Sequence, residues 1–129
     1  MDVFEFDYYD RLRRDYLQHG SLFVAYDYDN TVFDYHDWGI KYDKIVDLLR
    51  VCKSLGFTLI LFTANEGERL EGVKEDLNAR GIPFDLVNEN PLTNTRKIYY
   101  NVLLDDRAGL SEAYQMLKRL TDEIRSKEV

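Results

Sequence analysis

The sequence predicts an α/β fold: a three-layer, doubly wound, Rossmann-like domain built on a mostly parallel sheet and occupying residues 1–129 as one unit. Three observations carry this. The strand-like segments are continuously apolar instead of alternating, which marks strands buried on both faces. Amphipathic segments of helical period separate them, as crossover helices do. The polar residues cluster just after the strands, at the carboxyl edge where such sheets bind ligands.

Taken in order, residues 4–18 read as an N-terminal helix with Tyr9, Leu12 and Tyr16 on one face and Gly20 as its stop. "SLFVAYD" (21–27) is the first strand, and an aromatic and acidic loop over about 31–41 follows it. A helix from about 43 to 55 repeats Ile45, Leu48, Leu49, Cys52 and Leu55 at helical spacing and ends at Gly56. "FTLILFT" (57–63) is the second strand. A helix over 68–80 turns Leu70, Val73 and Leu77 inward and stops at Gly81. "FDLVN" (84–88) is a short third strand, "IYYNVLLDD" (98–106) holds a fourth, and a closing helix runs from about 109 to 126. The motif-bearing core is thus about 21–126.

Composition narrows the function. The chain is 45% hydrophobic and 14% aromatic, which excludes a disordered chain. Its net charge of −7 repels phosphate backbones and argues against non-specific nucleic-acid binding. Cys52 is the single cysteine, on the apolar side of a helix, so it reads as a small buried hydrophobe and a reducing, cytoplasmic setting is expected. No signal sequence and no apolar run near the roughly 20 residues of a membrane span is evident.

The chemistry concentrates in acid. Asp27 and Asp29, two apart in an extended segment, face one cavity while Tyr28 turns away. If the first and fourth strands are neighbours, Asp105 and Asp106 join them. Carboxylates so crowded do not all ionise without a cation among them, and hard oxygen ligands suit Mg²⁺. A single Asp at a strand end is ordinarily a cap or turn residue; four on one edge, with Thr63 and Lys97, point further.

"DYDNT" (27–31) resembles the Asp-x-Asp-x-Thr motif of the haloacid-dehalogenase-like (HAD) phosphohydrolase superfamily. The remaining motifs follow in that family's order: Thr63 in "LFTAN", Lys97 in "TRKIYYNVLLDD", then Asp105 and Asp106. "LILFTANEG", "FDLVNENP" and "RKIYYNVLLDDRAG" are similar to small, capless HAD hydrolases of bacteria and their phages, over about 21–110. The resemblance implies a Mg²⁺-dependent phosphatase working through an aspartyl phosphate. Asp27 would be the nucleophile and Asp29 the general acid and then base. Mg²⁺ would be held by the carboxylates of Asp27 and Asp105 and the main-chain carbonyl of Asp29, with Asp106 acting through water or as a support. Thr63 would bond the transferring oxygens, and Lys97 would pair with Asp27 and the phosphate. An acid at position 29 favours an oxygen leaving group over a halide. Asn30 stands where relatives often carry Gly, and Thr31 reads as structural.

The intervals between these motifs leave no room for a cap domain, so an open site is expected, taking a small phosphorylated molecule or the phosphorylated end of a larger one. "VFDYHDWGI" (32–40) reads as a flap whose Tyr35, His36 and Trp38 either stack on substrate or seal the flap against the protein. His36 lacks the Cys or His neighbours a zinc site needs. Among Arg69, Arg96 and Arg107, the last adjoins the acid pair and is the favoured anion contact, while Arg69 reads as a solvated helix face. Two other classes compete: a receiver-like phospho-acceptor domain, opposed by the chain order of acids and lysine, and a binding module that keeps the metal site without turnover.

Overall fold

The computed structural model describes all residues 1–129. Four strands, β1 (Phe23–Tyr26), β2 (Thr58–Leu61), β3 (Leu86–Val87) and β4 (Val102–Leu104), form one sheet in the order β3-β2-β1-β4, every pair parallel. Helices α1 (Tyr8–His19), α2 (Asp43–Ser54), α3 (Gly67–Ala79) and α4 (Leu110–Arg125) complete a Rossmann-like α/β arrangement. The chain moves outward from β1 through β2 to β3 and then returns to place β4 on β1's other side. That reversal puts the topological switch point between β1 and β4.

The continuous apolar runs explain the core. Register pairs Val24 with Leu59 and Val102, and Tyr26 with Leu61 and Leu104, so these six share one face. They form a single buried cluster with residues of all four helices, among them Leu12, Leu49, Leu77, Leu117 and Leu120. Fully burying an aliphatic side chain of this size is worth about 1.5–3 kcal/mol, so this face dominates the stability.

On the opposite face Ala25 and Ile60 are buried outside that cluster. Here the covering layer departs from expectation, because the 88–101 segment, not a helix, lies over it. Tyr99 meets Phe23 edge-on with ring centroids 5.9 Å apart. A cavity of about 340 Å³ between sheet and segment is lined by Phe23, Thr58, Leu92 and Tyr99. The segment's sequence, "NENPLTNTRKIYYN", carries Pro91 and four Asn, which favour turns over helix.

Element ends shift for local reasons. The first helix begins at Tyr8 because the Asp7 carboxylate accepts the Asp10 N–H at 2.9 Å, while residues 3–5 make a separate short 3₁₀ turn. The fourth strand begins at Val102, since the Asn101 side chain accepts the Phe23 N–H at 2.7 Å and ends the covering segment there. Cys52 is buried and unbonded, and burial pushes its thiol up to about 12, as a packing residue requires. No helix is long and apolar enough to cross a membrane. Between β1 and β4 the chain inserts no further domain.

Candidate active site

The register of β1 on β4 builds the site. Tyr26 is paired with Leu104, so the residues that follow them, Asp27 and Asp105, leave the sheet side by side. The Asp27 N–H donates to the Leu104 carbonyl at 3.0 Å and extends the ladder to this point. One carboxylate oxygen from each of Asp27, Asp105 and Asp106 lies within 4.8 Å of the others. Neither Asp27 nor the late pair has an ion-pair partner. Burial, then Asp105, Asp106 and Asp29, pushes the Asp27 carboxyl up to about 7, against one lowering hydrogen bond from the Tyr28 backbone.

These three side chains fit a hard divalent cation. Octahedral Mg²⁺ with bonds of about 2.0–2.1 Å sets neighbouring oxygens about 3 Å apart and opposite ones about 4 Å apart, within the span seen here. The Asp29 carboxylate stands outside the group.

The turn that carries Asp29 is tightly specified. The Tyr28 carbonyl accepts the N–H groups of Thr31, Val32 and Phe33 at 3.1–3.3 Å, and the Asn30 N–H donates to the Phe33 carbonyl at 2.7 Å. This geometry needs a left-handed residue, and Asn30 takes it at φ 60°. Thr31 is wholly buried and its Oγ1 accepts the Asp106 N–H at 3.2 Å, tying the first loop to the last. Tyr28 does turn away: it is buried, and its hydroxyl donates to Asp76 Oδ2 at 2.6 Å.

Thr63 follows β2, on the other side of β1. Asn88 holds its backbone from both ends, accepting the Thr63 N–H at 2.9 Å and donating to its carbonyl at 2.8 Å. The Thr63 Oγ1 accepts from the Asn65 N–H at 3.2 Å and Nδ2 at 2.9 Å. With its acceptor side occupied, the hydroxyl proton is free to be donated outward.

Lys97 is not ion-paired with Asp27. It is exposed on the covering segment and forms no ion pair with Asp27 or any other carboxylate within 4.0 Å. The physical reason is local. The segment folds on its own polar groups, with Asn90 Nδ2 donating to Thr93 Oγ1, Thr95 Oγ1 and the Lys97 carbonyl at 2.8–3.0 Å. Those bonds fix the lysine's backbone, and its side chain is exposed to water.

The arginines are also redistributed. Arg107 gives the site only its backbone N–H, donated to Asp105 Oδ1 at 2.8 Å, and Arg96 is exposed without an ion pair. Arg69, in the first turn of α3, is the one that reaches the acids: its Nη2 is 4.0 Å from Asp29 Oδ2 and its guanidinium carbon lies 5.5 Å from the Tyr35 ring centre. The sequence ranks it below Arg107 because the apolar stripe of α3 assigns position 69 to the solvent side without saying how the helix start is aimed. Asn65 was missed, although an amide two residues after a strand-end Thr is a legible local signal.

The flap is organised by Asp34, whose carboxylate accepts the N–H groups of Trp38, Gly39 and Ile40 at 2.8–3.2 Å. His36 and Trp38 stack at 4.1 Å and remain exposed, Trp38 at 67%, so these rings face solvent and do not seal the flap.

No protein-family model and no curated protein sequence matches the chain. A solved structure described as a conserved protein coded by a locus from Bacteroides thetaiotaomicron is similar, with a TM-score of 0.63 and 26% identity over 77% of this chain and 91% of that one. That likeness supports the α/β arrangement of the domain.

Proposed function

We propose that the protein is a HAD-like phosphohydrolase, a Mg²⁺-dependent phosphomonoesterase that forms an aspartyl phosphate at Asp27. The observation that carries this is the meeting of Asp27, Asp105 and Asp106 at the switch point, uncompensated by any protein cation. A bound Mg²⁺ would offset carboxylate charge and polarise the phosphoryl group. Asp27 supplies the attacking oxygen. Asp29, one turn residue away and outside the acid trio, gives a proton to the departing oxygen and afterwards takes one from water. The Thr63 hydroxyl donates to a phosphoryl oxygen, with Asn65 and Asn88 fixing its direction. Positioning and charge stabilisation of this kind are most of what phosphoryl transfer asks of a protein.

The substrate in this reading is a small phosphorylated molecule or the phosphorylated end of a larger one, since no inserted domain closes over the strand ends. A cytoplasmic setting goes with it, as the single cysteine is buried and unbonded. One observation favours a second reading, a phosphate- or metal-binding module without turnover: Lys97 is exposed and forms no ion pair with Asp27. A receiver-like phospho-acceptor is the weaker alternative, because the acid pair follows the last strand here.

The deciding experiment is hydrolysis of an aryl phosphate. Turnover with Mg²⁺, its loss on adding EDTA, and its abolition by Asp27→Asn in a folded protein are the expected results. Metal-dependent turnover that persists in Asp27→Asn removes the nucleophile, and Mg²⁺ binding without turnover selects the binding module.

A further inference from the structure

Arg69 is unexplained by the chemistry above. Resting on the phosphatase reading, its place follows from that of Asp29. A general acid must face the leaving oxygen, so whatever flanks the Asp29 carboxylate on its open side flanks the leaving group. Arg69 Nη2 is 4.0 Å from Asp29 Oδ2, on a carboxylate that stands outside the Asp27–Asp105–Asp106 trio.

At that distance the contact is a loose ion pair and not a hydrogen bond, so the guanidinium's donors stay available. Its guanidinium carbon lies 5.5 Å from the Tyr35 ring centre, within cation–π range, and its side chain is 60% exposed. The surroundings are strongly anionic, in a chain of net charge −7. A lone guanidinium there is where a second substrate anion would be tolerated, and its planar fork matches a carboxylate or phosphate better than an ammonium would.

We propose that Arg69, backed by Tyr35, forms a leaving-group subsite that selects phosphomonoesters whose leaving group carries a second anion, a carboxylate or another phosphate. Phenyl phosphate and its 3-carboxy derivative test this, because they differ by that anion and little in the acidity of the departing phenol. With Mg²⁺ the wild type should favour the carboxylated ester in kcat/KM by about fivefold, the scale of a partly exposed guanidinium–carboxylate contact. Arg69→Gln should bring the ratio close to one, mainly through KM, and Arg69→Lys should keep part of the preference. A wild-type ratio at or below one overturns the proposal. So does an Arg69→Gln variant that slows both esters equally, which would make Arg69 a positioning residue for Asp29. Absence of turnover of either ester by the wild type overturns the phosphatase reading itself, and this inference with it; turnover of phenyl phosphate without the preference overturns the subsite alone.

Discussion

Replacing Asp27 by Asn should make the metal-free protein more stable, and only at the pH where Asp27 is ionised. In the fold this carboxyl is pushed up to about 7 from its ordinary 3.8, first by burial and then by Asp105, Asp106 and Asp29. Below about pH 4 folded and unfolded chains both hold the proton, and the group is neutral toward folding. As pH rises from about 4 to 7 the unfolded chain releases the proton while the folded chain keeps it, so stability falls through that window and levels off above it. The full shift corresponds to about 4 kcal/mol. Asp27 is only half-buried, so solvent screening reduces this to about 1–2 kcal/mol. Asn has nearly the shape of the protonated acid and no charge. In EDTA at about pH 8, Asp27→Asn should therefore melt about 4–7 °C above wild type, and the gap should close near pH 4. Calorimetry or circular dichroism across that pH range reads it directly. Millimolar Mg²⁺ should reverse the order, since a ligand of the folded state alone raises the wild-type Tm by mass action. A variant less stable at about pH 8, or a gain that does not vary with pH, would refute the argument that these acids destabilise the fold.

Two further outcomes follow from the loops. Asn30→Gly should raise the urea midpoint by an amount worth about 0.5–1 kcal/mol, because Gly accepts the left-handed φ of 60° freely and removes a buried Oδ1 that has no partner; a lower midpoint would mean that oxygen is bonded in solution. Asp34→Ala should abolish hydrogen-exchange protection at Trp38, Gly39 and Ile40, which rely on its carboxylate, while shifting Tm by less than about 3 °C because Asp34 and those three residues lie outside the buried cluster; unchanged exchange at those amides would show that the flap is held by something else.

What could be read from the sequence divides along a physical line. The runs around Val24, Leu59 and Val102 are legible because a strand buried on both faces must be apolar throughout; the strand order and register of the structure then bring Asp27 to Asp105. Turn chemistry is local: Asn30 at φ 60° is a choice the chain makes within a few residues of its motif, whereas the Thr31 bond to the Asp106 N–H joins loops far apart in the chain. Lys97 and Arg69 are different. Each sits at the end of a long, flexible side chain, and what it touches depends on how a loop or a helix start is aimed in three dimensions, which residue spacing does not encode. The covering segment shows the same limit, since its turn-rich composition excludes a helix but does not say that Tyr99 will lie against Phe23. The contrast bears on function. The acids are fixed by backbone register and form a site before any ligand arrives, at a cost in stability. The cations are carried by side chains with several places to go. A phosphorylated ligand that drew Lys97 toward Asp27 would supply through binding the pairing that the fold leaves unmade, and under the proposed function substrate and metal together would complete the charge balance of this site.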